Sequence, residues 1–367
     1  MESYYVLSIL WVYHSVMHLL KTIAATRLQP IPIPLHPSYT ACWDVTVVVP
    51  TINAEENFTD AILTWLENRP LEIVIVTIDS KVEEIKSIIV KVSKKSQGYS
   101  TIVKVLGVPQ AGKRRQMARG IQQARGSIIV LADDDAFWPP DLLPYLLACF
   151  EDSEVGGIGT RQRAHVSTET PLSLWQYLAA RRLKRRNVSI SASSYIDGGI
   201  SCFSGRTVGY RAEILKDTSF LYSFTHDYWR GRHLLDSGDD TFITRWLYTT
   251  GWRMKIQTAP EAEISTFVTA SPKYLQQLIR WTRNSRRSYI RCVFHISDLR
   301  RIGMVSIYLF ARLNKWPFKP WNHPKPLRHF FFGLLNGLFT MPLDIYAHAT
   351  LDNTAWASRG IETPNTL

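Results

Sequence analysis

The sequence predicts an α/β fold: a mostly parallel sheet with helices on both faces. Between Val45 and Ala132, short continuous apolar runs alternate with helical stretches. Continuous apolar runs mark strands buried on both faces. The polar residues then fall where the runs end: Thr51 and Asn53, Asp79, and Asp133 to Asp135. In such sheets ligands bind beyond the carboxyl ends of the strands.

The elements follow in order. Residues 1–26 are apolar from Tyr4 to Leu20, broken by His14, His18 and two serines, with Lys21 and Arg27 after them. A spanning or interfacial membrane helix is expected there, and the basic residues that follow it put the rest of the chain on the cytosolic side. The start carries Glu2 and no basic region, so a signal peptide is not expected. Residues 27–43, with the alternating prolines of RLQPIPIPLHP, read as an extended linker. Residues 44–292 are expected to form the main α/β domain. Its strands are VTVVVPT, EIVIVTI, TIVKVLG and SIIVLA, with helices between them. Beyond the aspartates come a helix near 140–150, the short strand VGGIGT and the basic helix LSLWQYLAARRLKRRN. IDGGISCFSGRTVGYRAEIL reads as an irregular hairpin entering a helix. SGDDTFITRWLYTTG is a loop and helix, WRMKIQ a strand, and the stretch from Ser271 a long basic helix with Pro272 in its first turn. Residues 293–367 are expected to be membrane-associated; His329 to Leu351 is apolar but interrupted by Pro342 and Asp344.

A net charge of +12 implies anionic partners: phosphate-bearing ligands, acidic lipid or nucleic acid. Cys42, Cys149, Cys202 and Cys292 show no C-x-x-C spacing, which points to reduced thiols and away from a zinc site.

Four motifs carry chemistry. Asp133 and Asp135 lie at i and i+2 after a strand, so by strand alternation they project to one side and can share Mg²⁺ or Mn²⁺, with Asp134 pointing away. A solvated acidic turn fits them equally. Asp239 and Asp240 open a helix, where they can cap it or supply a general base. Gln277, Arg280 and Trp281 share a helix face, presenting an amide, a phosphate-binding guanidinium and a flat indole, or a packed amphipathic face. Gly112, Lys113 and Arg114 start a helix, where backbone amides and cations suit a phosphate.

Strand–PT, strand–D, GKR, DDD, SGR, GDD and QxxRW follow one chain order from Val45 to Arg287. With DDDAFWPP, GDDTFITRWLYTTGWRMKIQ and QQLIRWTRNSRR, the sequence resembles family 2 glycosyltransferases of the membrane polysaccharide-synthase type, the fungal ones most closely. TLDNTAWASR is a weaker echo. The resemblance implies a GT-A fold and inverting transfer from a UDP-sugar to a carbohydrate acceptor, with Mn²⁺ or Mg²⁺ as cofactor. It implies that Thr51 and Asp79 help hold uridine and that Lys113 and Arg114 lie near the nucleotide. Asp133 would touch nucleotide or metal, and Asp135 would ligate the metal. Asp240 would be the general base with Asp239 beside it. Arg280 would neutralise the diphosphate, and Trp281, oriented with Gln277, would floor the acceptor site.

The region after QxxRW departs from the family. It is short and proline-broken, where the synthases carry several membrane spans. That keeps open single-sugar transfer to a lipid or small-molecule acceptor. A basic nucleic-acid-binding protein would explain RRLKRRN and the arginines from Arg280 to Arg291. It leaves the two acidic clusters, which repel phosphate, unexplained, so nucleic acid is not an expected partner.

Overall fold

A computed structural model describes residues 2–54, 57–95, 100–166, 171–295, 340 and 342–354. The helices are α1 (Glu2–Arg27), α2 (Ala41–Asp44), α3 (Phe58–Glu67), α4 (Val82–Lys95), α5 (Lys113–Gln123), α6 (Leu142–Leu147), α7 (Leu174–Asp197), α8 (Ala212–Leu215), α9 (Thr218–Thr225), α10 (Asp239–Thr249) and α11 (Lys273–His295). The strands are β1 (Val45–Pro50), β2 (Glu72–Ile78), β3 (Ile102–Val108), β4 (Ile128–Ala132), β5 (Ala136–Phe137), β6 (Val155–Thr160), β7 (Gln162–His165), β8 (Thr207–Arg211), β9 (Tyr228–Trp229), β10 (His233–Leu234), β11 (Arg253–Gln257) and β12 (Ile264–Phe267).

The chain divides into two compact units. One comprises residues 28–165, 197–267 and 354–367; the other comprises 1–27, 166–196 and 268–353. α7 and α11 group with α1 in the second of these units.

The first unit holds a seven-stranded sheet of order β11-β6-β8-β4-β1-β2-β3. Only β8 runs antiparallel, pairing with both β4 and β6. The expected hairpin at 196–215 is thus a central strand, since Thr207 to Arg211 hydrogen-bonds to β4 and β6 rather than to a neighbour in sequence. Every residue of β1 and β4 is buried, as their continuous apolar sequences require. Val45, Val47, Val49, Ile73 and Ile75 pack with α3, α4 and α6 residues in one core. Alternate residues face the other side, where Val48 and Val76 approach Gly120 of α5.

Two features were not anticipated. A small sheet of order β5-β12-β7 forms beside the main one. Its strands have two to four residues and no apolar run to announce them. The proline stretch at 30–37 is also tied down: Gln257 donates to the Ile31 carbonyl at 2.9 Å and accepts from its N–H at 3.1 Å.

In the second unit, Tyr177, Leu178, Ala179, Tyr274 and Leu278 form a core between α7 and α11. The arginines of α11 are not a solvated face. Arg283 donates to Thr350, Arg286 pairs with Asp344, and Arg287 donates to the carbonyls of Leu351 and Asn353. The expected N-terminal segment is helical. Among the described residues, however, no helix is long and apolar enough to cross a membrane; His14, Ser15 and His18 break the apolar run of α1. The C-terminal segment expected to be membrane-associated lies largely outside the described residues.

Candidate donor and catalytic site

The site is built at the carboxyl ends of β1 and β4. β1 ends at Pro50, and the Thr51 N–H donates to Val76 O at 2.9 Å. Buried Gln116 of α5 donates to both Thr51 O and Val76 O at 2.7 Å, tying two strand ends to one helix. Sequence reasoning missed Gln116, which belongs to no motif.

At the end of β4 the chain does not continue extended. The Ala136 N–H donates to Asp133 O at 3.1 Å, closing a turn through Asp134 and Asp135. The Asp133 N–H is held by Arg206 O at 3.0 Å. Behind the turn the aromatic residues anchor it. The Trp138 indole donates to Thr207 at 2.9 Å, and Trp65 donates to Ala136 O at 2.7 Å. The expected strand alternation therefore stops at Asp133. Asp134 does not point away from the site: it accepts from Thr51 Oγ1 at 2.7 Å. All three aspartates are half-buried.

Lys113, the first residue of α5, reaches two acids at once. Its Nζ lies 2.9 Å from Asp133 Oδ1 and 3.1 Å from Asp239 Oδ2. Burial works against its charge, but Asp133, Asp239 and Asp240 outweigh it and hold the ammonium well above the ordinary lysine range. Gly238, in the left-handed region at φ 76°, turns the chain into α10 and brings Asp239 and Asp240 to the site. Asp239 is buried; Asp240 Oδ1 accepts from the Thr241 N–H at 2.7 Å. Gly205 covers the group, since a Cβ there would lie 3.1 Å from Asp239 Oδ2. Burial and the charges of Asp240 and Asp239 keep the Tyr210 phenol protonated far beyond its usual range.

Arg114 points inward, and its guanidinium is buried. It pairs with Asp227 at 2.8 Å and donates to the carbonyls of Phe224, Ser237 and Gly238. The rings of Phe224 and Phe242 lie 5.3 and 5.1 Å from it. One residue along a helix turns the side chain by about 100°, so Lys113 and Arg114 part company. Asp236, another residue in no motif, accepts from the backbone N–H groups of Lys113 and Arg114 at the start of α5. Burial raises its carboxyl, against the pull of Arg115 and those bonds.

Asp79 begins the short turn after β2 and is exposed, with Gly107 of β3 leaving room for its carboxylate. Gln277, Arg280 and Trp281 are half-buried along α11 in the other unit. There the Arg182 guanidinium lies over the Trp281 ring, 5.1 Å from its centroid.

A family model described as glycosyltransferase-like family 2 matches residues 43–284. The chain belongs to that family. This glycosyltransferase is 43% identical over 267 residues to a type 2 glycosyltransferase of Zymoseptoria tritici, covering 72% of this chain and 55% of that one. It thus spans about half the length of that relative. A type 2 glycosyltransferase of Pyricularia oryzae is 31% identical over 401 residues, covering 96% and 81%. Among solved structures, a mannosyltransferase from Pyrobaculum calidifontis, in complex with GDP-Man and Mn²⁺, superposes with TM-score 0.55 at 18% identity over 96% of this chain and 98% of that one. The fold is GT-A.

Proposed function

We propose that this glycosyltransferase inverts the sugar it transfers, taking it from a UDP-sugar to a carbohydrate acceptor with the help of Mn²⁺ or Mg²⁺ at the cytosolic face of a membrane. The observation that carries this reading is the Lys113 bridge between Asp133 and Asp239. It joins an acid on the donor side to the acid pair that can serve the acceptor.

The residues suit a divalent cation. Asp133 and Asp135 offer hard oxygens on one turn, and such ions are commonly held by one or two carboxylates plus substrate phosphates. When bound, the cation would neutralise charge on the departing diphosphate. The Pyrobaculum mannosyltransferase, with its GDP-Man and Mn²⁺, supports the same ligand class here.

The protein's own residues divide the remaining work. Thr51 and Asp79 lie at strand ends suited to the nucleoside. Lys113 and Arg280 supply positive charge for the diphosphate, and Trp281 with Gln277 receives the acceptor. Asp239 is buried and already engaged by the Lys113 ammonium. That leaves Asp240 to take the proton of the acceptor hydroxyl as its oxygen attacks the anomeric carbon and the UDP bond breaks.

Membranes carrying the protein, given a panel of radiolabelled UDP-sugars with Mn²⁺, should transfer label from one donor. Asp240→Asn should cut turnover by about 10²–10⁴-fold with UDP binding retained. Transfer from no donor, or undiminished turnover in Asp240→Asn, would sink the reading. Sizing the product separates polymer from single-sugar transfer.

A further inference from the structure

The acidic turn and the loop before α10 converge on one ammonium. Lys113 Nζ lies 2.9 Å from Asp133 and 3.1 Å from Asp239, and Asp240 adds its field to the same group. The lysine backbone is fixed as the first residue of α5, so only the flexible stem can move. Only 17% of the side chain meets solvent. Gly205 lies against the cluster: a Cβ there would stand 3.6 Å from Lys113 Nζ. A cation of the protein's own is already on Asp133, one of the carboxylates assigned to the metal.

We propose that Lys113 holds the cation position on Asp133 in the donor-free enzyme, so that metal and nucleotide bind together and not one before the other. The inference rests on the metal-dependent reading above. Two cations on one half-buried carboxylate repel each other strongly, so a metal arriving alone must displace the ammonium. It would gain little by doing so. Among the described residues, no group of three or more His, Cys, Asp or Glu side chains is arranged to hold a metal ion by itself. A nucleoside diphosphate changes both sides of that balance. Its oxygens complete the ligand set of a small divalent ion, and its charge gives the ammonium an anion to turn to.

The test is Mn²⁺ binding by the full chain, read from the loss of the free-ion EPR signal, with and without UDP. Without UDP, Lys113→Met and Lys113→Gln should bind Mn²⁺ at least about tenfold more tightly than wild type, the range of an ordinary coupling between sites. Lys113→Arg keeps the charge and should stay as weak as wild type. Wild type should gain at least about tenfold in Mn²⁺ affinity when UDP is added. Far-UV circular dichroism checks that each variant is folded, and the wild-type arm stands if the neutral variants are not. Equal nucleotide-free affinity in wild type and folded neutral variants overturns the inference and leaves the metal reading intact. No Mn²⁺ binding by wild type with UDP present overturns both.

Discussion

The Thr51 hydroxyl donates a 2.7 Å hydrogen bond to Asp134, the middle of the three consecutive aspartates. This bond joins the end of β1 to the acidic turn after β4. It gives Asp134 a structural task that strand alternation hid, because the backbone turns at Asp134 and Asp135 instead of extending. Asp133→Asn is expected to cost more donor affinity than Asp134→Asn, since Asp133 meets the Lys113 ammonium while Asp134 accepts from the Thr51 hydroxyl. Thr51→Val and Asp134→Asn should prove non-additive, with a coupling of about 0.5–1.5 kcal/mol for one hydrogen bond. A double-mutant cycle on UDP affinity checks both, and simple additivity would deny that the bond matters to the donor.

Arg114 is expected to act on stability and not on donor binding. Its two terminal guanidinium nitrogens are held by Asp227 and three carbonyls, two of them in the loop that leads to Asp239. Arg114→Met takes the guanidinium away from buried Asp227, and breaking such a buried pair should cost about 3–5 kcal/mol. Denaturant titration measures the loss. UDP affinity per folded molecule, measured at low temperature, should match wild type; a tenfold drop would return Arg114 to the nucleotide.

The sequence made the main sheet legible because burial on both faces leaves unbroken apolar runs, and it made Lys113, Asp133 and Asp239 legible through motif order. It did not separate Lys113 from Arg114, since neighbouring cations look alike until the helix turns one inward. Asp227 and Asp236 lie in no motif, and only the folded chain brings them to α5. The arginines of α11 read only as those of a long basic helix for a similar reason. Their acceptors, Asp344, Thr350, Leu351 and Asn353, lie about sixty residues on.

Glu72 gives the pH dependence a sign. It is fully buried at the start of β2. Burial alone would raise its carboxyl, but hydrogen bonds from Lys104, Arg125 and Thr46 win and lower it below its ordinary 4.5. A lowered carboxyl stabilises the fold at neutral pH, and that contribution is lost as pH falls from about 4.5 through the folded-state value. Thermal melting of wild type should therefore decline between about pH 5 and 3. Glu72→Gln should melt lower at pH 7 and lose part of that acid slope. An unchanged slope would place the acid sensitivity elsewhere.

Trp281 and Arg182 make the last test. The indole was expected to floor the acceptor site, yet the Arg182 guanidinium lies 5.1 Å over its ring. A sugar stacking on that face must first displace the guanidinium. A cation–π contact at an exposed site is worth about 0.5–1 kcal/mol, and Arg182 is exposed. Arg182→Ala is therefore expected to lower the acceptor KM by about 2–5-fold, the same energy expressed as affinity. The donor KM should not move. Tryptophan fluorescence follows the uncovering of Trp281 in the same variant. An acceptor KM that rises instead would mean that Arg182 itself contacts the sugar, and the indole would then be packing for α7 and not a platform.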